Sequence, residues 1–281
     1  MNERQIADLV EKIVRQIQAE QQKKVGPSAV CEDIASAACR AIPLLDSPER
    51  PEVLERMKRE TNARIGVGRA GSRLKTQTLL TLRADHAQAR DAVFADVEPK
   101  TLEKLGLFTV QTMCDSKDTY ITRPDLGRIL SPEAIRTLKE RCRPNPDVQI
   151  YAADGLSSTA IEANLAKILP ILTDAIEQKN LTLGTPFFLR FGRVGSEEQV
   201  AEVLGAKVVC VLIGERPGLA TAESMSAYIA YNAYVGMPEA KRTVVSNIHR
   251  SGTAAVEAGA YIAEVIEKIY RQKASGIDLV R

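Results

Sequence analysis

The stretch KVVCVLI (207–213) decides the fold, and GERPG (214–218) follows it directly. The first run is almost entirely apolar and does not alternate with polar residues, which is typical of a strand buried on both faces in a parallel sheet. Glu215 then stands at the end of this strand, between two glycines. In open α/β sheets, ligands bind beyond the carboxyl ends of the strands, so we interpret Glu215 as a hydrogen-bond acceptor directed at a ligand.

Composition limits the class of protein. The chain has 281 residues, of which 44% are hydrophobic and 26% are charged, which predicts a soluble globular protein with one large core or two smaller ones. The formal net charge is only +2, and no basic cluster is long enough to follow a phosphate backbone. Nucleic acid is therefore not indicated as a partner.

Cysteine usage and hydropathy bear on localisation. The five cysteines are odd in number and form no CxxC pair, which argues against a disulfide framework or a zinc knuckle and favours the reducing cytoplasm. They are Cys31, Cys39, Cys114, Cys142 and Cys210. No apolar run reaches about 18 residues, and the N-terminus lacks the apolar region of a secretory signal, so we expect neither a membrane span nor export.

The first fifty residues have two distinct patterns. Residues 1–20 predict a short amphipathic helix, because apolar residues recur at spacings of three and four from Ile6 to Ile17. Residues 21–52 are rich in Lys, Pro, Ser, Ala and Asp, and we interpret them as a linker. The helix has two possible interpretations. The first is a frayed terminal helix or a dimer contact, and the second is a segment that docks to a partner or shell.

The rest of the chain predicts a helical domain over residues 53–109 and a larger domain over residues 110–281. The larger domain repeats a pattern of strand, loop and helix, which predicts an α/β fold with a Rossmann-like, mostly parallel sheet and flanking helices. Predicted strands are 148–153, 186–191, 207–213 and 243–248, and predicted helices are 159–178, 222–234 and 253–273. A further helix should begin at a capping box of Ser196 and Gln199, and Gly276 should stop the last helix.

In such a sheet, the loops that follow the predicted strands should meet at one edge. These loops are 154–158, 192–195, 214–218 and 247–252.

Seven motifs, each of eight or more residues, resemble the small subunit of ethanolamine ammonia-lyase, and they occur in the expected order from about residue 53 to the end. They are GRAGSRLKTQTLL (68–80), YITRPDLGR (120–128), NPDVQIYAADGLS (145–157), TPFFLRFGRV (185–194), GAKVVCVLIGERPGL (205–219), RTVVSNIH (242–249) and QKASGIDLVR (272–281). The resemblance implies an adenosylcobalamin-dependent lyase that converts ethanolamine to acetaldehyde and ammonia. In that family a large barrel subunit carries the substrate site, and the small subunit closes over the cobalamin.

The resemblance also implies which residues contact the cofactor. Val194 of FGRV and Glu215 of GERPG match positions that contact the cobalamin in the family. A third position falls at Val244, where the family pattern has Cys, so a contact that depends on a thiol is not expected here. A corrin edge offers methyl groups for Val and amide N–H donors for a carboxylate, which fits this set chemically.

Each of these residues also has a structural interpretation. From its chemistry alone, Glu215 is equally able to pair with Arg216 or Arg242, or to cap a following helix. Val194 is, without the resemblance, a typical core residue.

Two other features do not predict a ligand site. The chain has two histidines, His86 and His249, and lacks the D-x-H-x-x-G pattern of corrinoid proteins that use histidine as the lower cobalt ligand, so we expect both to be structural.

GVGRAG (66–71) matches a dinucleotide fingerprint in its letters only, because a charged, helix-like segment precedes it instead of a buried strand. We expect a turn between helices there, with a basic surface that faces a partner subunit. The basic residues are Arg64, Arg69, Arg73 and Lys75.

Three classes of function therefore compete at this point. The first is a cobalamin-contacting accessory subunit, the second a Rossmann enzyme that binds NAD or FAD alone, and the third a scaffold without a cofactor. The family occurs in bacteria that enclose ethanolamine breakdown in a protein shell, and residues 1–20 resemble the encapsulation peptides of such cargo. The resemblance thus implies a cytoplasmic protein inside a bacterial microcompartment.

Overall fold

The computed structural model describes residues 33–34, 36–61 and 63–280. The amphipathic helix predicted for residues 1–20 and the first part of the predicted linker lie outside the described residues. The chain divides into two compact units, one extending to Thr81 and the other comprising Leu82–Arg281.

The first unit consists of short helices and a hairpin. Helix α1 (Ala37–Ala41) is capped by Ser36, whose hydroxyl accepts a hydrogen bond from the backbone N–H of Cys39 at 3.2 Å. Helix α2 (Pro51–Glu60) begins with a proline, which suits the first helical position. The hairpin consists of β1 (Arg69–Ala70) and β2 (Arg73–Leu74), and helix α3 (Thr76–Phe94) begins after it.

The glycine-rich segment 66–71 therefore lies between two helices, as the sequence predicts. Gly71, at the turn of the hairpin, has a φ of 61°, which an L residue rarely adopts. A Cβ on Gly68 would lie 2.5 Å from the carbonyl oxygen of Leu44, so glycine is required there for close approach of the backbone.

The second unit is built on a six-stranded sheet in the order β3-β5-β4-β6-β7-β8. Its strands are β3 (Thr109–Gln111), β4 (Val148–Ala153), β5 (Phe188–Arg190), β6 (Val208–Gly214), β7 (Met225–Tyr231) and β8 (Thr243–Ile248). The first four neighbours in this order pair in parallel, whereas β7 is antiparallel to both β6 and β8. Every strand except β7 therefore runs in the same direction, which confirms the predicted mostly parallel α/β sheet.

Helices cover both faces of the sheet. They are α4 (Pro99–Lys104), α5 (Lys117–Thr122), α6 (Pro132–Arg141), α7 (Ser158–Gln178), α8 (Ser196–Leu204) and α9 (Ala255–Gln272). Helices α7 and α9 bury their apolar residues against one face, which we call the first face, and α6 and α8 against the other, the second face. Strands β4 and β6 are buried at every position, as the opening sequence run predicts.

None of the helices in the described part of the chain is long and apolar enough to cross a membrane.

The helix predicted for residues 222–234 is wrong, because Met225–Tyr231 forms strand β7. Its side chains follow a period of two: Ala227 and Ile229 pack in the core of the first face, whereas Tyr228 and Ala230 pack on the second. A short apolar run suits a buried helix or a buried strand equally well. Pairing along the whole length of β6 decides for the strand.

The capping box predicted at Ser196 and Gln199 is also wrong. Helix α8 has Gly195 at its N-cap, without a capping side chain. The Ser196 hydroxyl instead donates to the carbonyl oxygen of Arg193 at 2.7 Å, and the Gln199 side-chain oxygen accepts from the backbone N–H of Leu130 at 2.7 Å. Ser196 therefore bonds to the loop just before the helix and Gln199 to a distant segment, so the two side chains do not form a capping box.

The predicted stop of the last helix at Gly276 is displaced. Helix α9 ends at Gln272, and the next residue, Lys273, adopts the left-handed conformation with a φ of 53°. Gly276 lies three residues further on, where a Cβ would come within 2.2 Å of the carbonyl oxygen of Ala240. Its role is a close approach between backbone segments.

Candidate functional site

The loops after β4, β5, β6 and β8 meet at one edge of the sheet, as predicted. We call these loops (154–158, 192–195, 214–218 and 247–252) the rim. The Asp154 carboxylate accepts from the backbone N–H of Gly192 at 3.2 Å, and the N–H of Leu156 donates to the carbonyl oxygen of Gly214 at 3.1 Å. These bonds connect the first three loops directly.

The rim is closely packed and locally strained. A Cβ on Gly214 would lie 2.1 Å from the carbonyl oxygen of Ser157, so only glycine fits between these loops. Asn247 and Phe191, which directly precedes the loop after β5, adopt positive φ values of 62° and 58°, although neither is a glycine. Such strained residues concentrate at functional sites, where the surrounding structure holds them in place.

Glu215 directly follows the last residue of β6. Its side chain is half-buried, and three donors hold its carboxylate. The Ser224 hydroxyl donates to Oε2 at 2.6 Å, the Ser226 hydroxyl donates to Oε1, and the backbone N–H of Asn247 donates to Oε1 at 3.3 Å. Strand β7 and the end of β8 therefore both position this side chain. Neither the pairing with arginine nor the capping role considered from the sequence explains these contacts.

Val194 and Val244 lie on the second face of the sheet. Val194 is half-buried in the loop after β5 and packs against the core of the second face. Val244 pairs in register with Tyr228 of β7 and is 44% exposed. Glu215 lies on the same face, because Ser226, whose hydroxyl donates to its carboxylate, is two residues from Tyr228 along β7. The three predicted site residues therefore share the second face, with Val194 and Glu215 at the rim and Val244 level with Val211 in the middle of β6.

The second face is only partly covered near these residues. Helix α9 packs on β7 and β8 across the first face, whereas on the second face α8 packs on β6 and α6 packs on β3. The exposed side chain of Val244 and the half-buried ring of Tyr228 leave the second face of the β7–β8 strip open to a partner or ligand.

A buried ion cluster connects two parts of the site, and the sequence pattern did not predict it. Arg242, whose side chain is 1% exposed, pairs with Glu197 at 3.1 Å and also with Glu198 and Glu239. Glu197 and Glu198 begin helix α8, just after Val194, and Arg242 directly precedes strand β8. The cluster therefore fixes the loop after β5 relative to the strand that carries Val244. Burial raises the pKa of Glu197 to about 8 despite the neighbouring guanidinium.

A second buried cluster lies at the other side of the rim, where sequence reasoning also missed it. The Asp154 carboxylate is buried, and it accepts from the N–H groups of Gly155 and Gly192. Lys117 lies with its Nζ 3.6 Å from Asp154 and over the rings of Tyr120 and Phe191, at 5.4 and 5.7 Å from their centroids. Burial raises the pKa of Asp154, and the lysine opposes that shift. The sequence signal for it was the Asp-Gly pair that directly follows β4.

His249 makes hydrogen bonds within its own loop, and His86 has no contact in the site. His249 is buried, its Nε2 lies 2.8 Å from the Asn247 side-chain oxygen, and its Nδ1 accepts from the N–H of Ser251 at 3.2 Å. Both ring nitrogens are therefore used within the loop that follows β8. His86 is exposed on α3.

A cavity of about 380 Å³ lies at the β3 and β5 edge of the second unit. Its apolar lining, which includes Val97, Leu102 and Phe188, belongs to the core of the first face. Pockets are the usual starting point in a search for a ligand site. Since Val194, Glu215 and Val244 lie on the second face, the cavity is not the predicted site.

The fold and the rim define a class of protein. Ligands of α/β sheets bind at the carboxyl ends of the strands, and here that edge carries a fixed carboxylate beside an open apolar strip. The molecule is thus an α/β protein whose partly open sheet carries a fixed carboxylate at the edge where ligands of such sheets bind.

Comparison with known proteins gives the family. The chain belongs to the family described as ethanolamine ammonia-lyase light chain (EutC), which it matches over residues 51–280. It is similar to the ethanolamine ammonia-lyase small subunit of Clostridium tetani, with 56% identity over 255 residues, covering 91% of this chain and 86% of that relative. The small subunit of Fusobacterium nucleatum is 56% identical over 250 residues, covering 89% of this chain and 85% of that relative. The small subunit of Clostridioides difficile is 47% identical over 292 aligned positions, covering 99% of this chain and all of that relative.

Proposed function

We propose that the chain is the small subunit of an adenosylcobalamin-dependent ethanolamine ammonia-lyase, which converts ethanolamine to acetaldehyde and ammonia. In this proposal, the rim closes over the cobalamin at the interface with the large barrel subunit. Family membership supports the reaction, and the fixed carboxylate of Glu215 beside the open strip at Val244 is the observation that carries the cofactor contact.

The residues present fit a corrin ring chemically. The edge of a corrin carries methyl groups and primary amides, which require apolar surface and hydrogen-bond acceptors. Val194 and Val244 supply the apolar surface, and Glu215 supplies an ionised acceptor that makes strong, charge-assisted hydrogen bonds. Val244 stands where the family pattern has Cys, and its exposed side chain keeps apolar contact without a thiol.

The chain would bind and orient the cofactor, and the large subunit would supply the substrate site. When bound, the cobalamin supplies the radical chemistry, and the protein supplies position and shielding from water. Glu215 fixes one edge of the ring through its amides, while the two valines exclude water from the neighbouring surface.

Reconstitution tests this division. We expect the chain alone to show no release of ammonia from ethanolamine with adenosylcobalamin, and the large subunit to gain turnover when the chain is added. A matched control is the large subunit mixed with heat-denatured chain. Deamination by the isolated chain, or full turnover by the large subunit without it, would refute the proposal.

Residues 1–20 lie outside the described residues, and we propose that they direct packaging into a bacterial microcompartment through a shell protein. Apolar residues recur in this segment at spacings of three and four with charged residues between them, which supports an amphipathic helix that docks on a partner. A fluorescent reporter fused to residues 1–20 should gather in foci in cells that form shells. A reporter that stays dispersed would exclude this role.

A further inference from the structure

Glu215 is held by side chains that the family resemblance did not single out. Ser224 donates to Oε2 at 2.6 Å and Ser226 donates to Oε1, so the two hydroxyls hold different oxygens of the same carboxylate. Two donors on two oxygens fix the plane of the carboxylate as well as its position. The backbone N–H of Asn247 adds a third, longer bond to Oε1 at 3.3 Å.

Both serines are placed by the pairing of β6 with β7. Ser226 lies opposite Ile213 in the ladder and is 1% exposed. Ser224 lies just before β7, where its carbonyl oxygen accepts from the backbone N–H of Glu215 at 3.0 Å. Strand β7, in the segment whose sequence predicts a helix, therefore brings both hydroxyls to the end of β6.

We propose that Ser224 and Ser226 are positioning residues that hold the Glu215 carboxylate oriented for an amide of the cobalamin. This inference rests on the proposed function. An ionised carboxylate has about four acceptor sites, and the three bonds described leave room for a ligand donor. Glu215 is half-buried and keeps part of its surface accessible. Binding is then stronger because the side chain is already ordered before the ligand arrives.

The competing explanation is purely structural. In that case the hydroxyls stabilise the turn between β6 and β7, and their loss weakens binding only by loosening the turn. Thr221 provides a matched control, because its hydroxyl oxygen accepts from the N–H of Glu223 at 3.0 Å in the same turn and is not among the donors to the Glu215 carboxylate. A general effect of loosening would appear in Thr221→Ala as well.

The experiment measures the dissociation constant of hydroxocobalamin for the assembled complex of both subunits by absorbance titration. We expect Ser224→Ala and Ser226→Ala each to weaken binding by roughly 2- to 10-fold, the range for side chains that must be ordered on binding. Ser224→Thr keeps a hydroxyl and should bind as the wild type does, and Thr221→Ala should also be unchanged. Thermal unfolding of each variant records any loss of folding separately.

A double-mutant cycle separates positioning from a structural role. In a Glu215→Gln background, Ser224→Ala should cause no further loss of affinity, because the hydroxyl acts through the carboxylate. An equal loss in both backgrounds, wild-type affinity of both alanine variants, or an equal effect of Thr221→Ala would overturn the inference while the proposed function stands. If Glu215→Gln itself leaves the affinity unchanged, the proposed contact of Glu215 fails, and the inference fails with it.

Discussion

At the residue scale, Glu215 is the side chain with the most specific chemistry at the rim. Its half-buried carboxylate is an acceptor at the edge of the sheet, and it is held by the hydroxyls of Ser224 and Ser226 and the backbone N–H of Asn247. Its exposed neighbour, Arg216, follows it in the chain without sharing those bonds. Comparison of these two adjacent charged residues therefore separates specific recognition from the general effect of charge.

We expect Glu215→Ala to weaken the affinity of the assembled complex for cobalamin by about 1–3 kcal/mol, because a hydrogen bond to a charged group is lost. Arg216→Ala is the control and should change the affinity little. Both are measured by equilibrium titration with hydroxocobalamin at constant salt. Equal affinities of the wild type and Glu215→Ala would remove Glu215 from the site.

Glu197 is the second residue with a testable consequence. The folded protein raises its pKa from 4.5 to about 8, through burial. In the unfolded chain the proton leaves near the ordinary value. The folded state therefore binds more protons between these two pH values, and the stability contributed by this group falls as the pH rises through that interval.

The wild type should therefore lose stability relative to Glu197→Gln as the pH rises from about 5 to about 8, and the difference should level off above that. Urea unfolding of both proteins at several pH values measures the effect. The glutamine variant keeps the size of the side chain without the titration. A stability difference that is constant across this interval would show that Glu197 titrates normally.

At the element scale, the end of β6 depends on close contact between backbones. Gly214 is the last residue of β6, and a Cβ there would lie 2.1 Å from the carbonyl oxygen of Ser157 and 2.6 Å from that of Asp154. Backbone atoms cannot move away as the end of a flexible side chain can. Gly218, four residues later, has its nearest such atoms at 3.9 and 4.0 Å.

Gly214→Ala should destabilise the protein by about 1–3 kcal/mol, because the added methyl group forces two rim loops apart. Gly218→Ala should change the stability by no more than about 0.5 kcal/mol, since open space surrounds it. Chemical denaturation of the two variants compares them directly. Similar stabilities would mean that the loops after β4 and β6 are not in the contact described here.

At the scale of the whole molecule, the sequence was most informative where a local pattern has one structural meaning. The run 207–213 predicts a strand buried on both faces, and β6 is buried at every residue. The run that became β7 was ambiguous, because a short apolar segment fits either a buried helix or a buried strand. Its assignment depends on the free edge of β6, which no local pattern contains.

Long-range pairs limited the prediction of the site. Arg242 and Glu197 are 45 residues apart in the chain, and Lys117 and Asp154 are also distant in sequence. No spacing rule connects such residues before the fold is known. Val194 and Val244 carry no chemical signal of their own and were identified through the family resemblance, whereas Glu215 was also indicated by its place after a buried strand.

Five strands of the sheet run in the same direction, which brings the loops after β4, β5, β6 and β8 to one rim. The second face of the β7–β8 strip remains open beside that rim, so a large ligand can contact the loops and the sheet together. The proposed role as a cobalamin-contacting subunit depends on this combination.

The domain boundaries predicted near residues 20, 52 and 109 remain predictions.

The most direct test is a structure of the assembled two-subunit complex with cobalamin bound. We expect the ring to contact Val194 and Val244, and the Glu215 carboxylate to accept a hydrogen bond from one of its amides. Cobalamin bound without contact to the rim, or against the first face covered by α7 and α9, would contradict the proposed function.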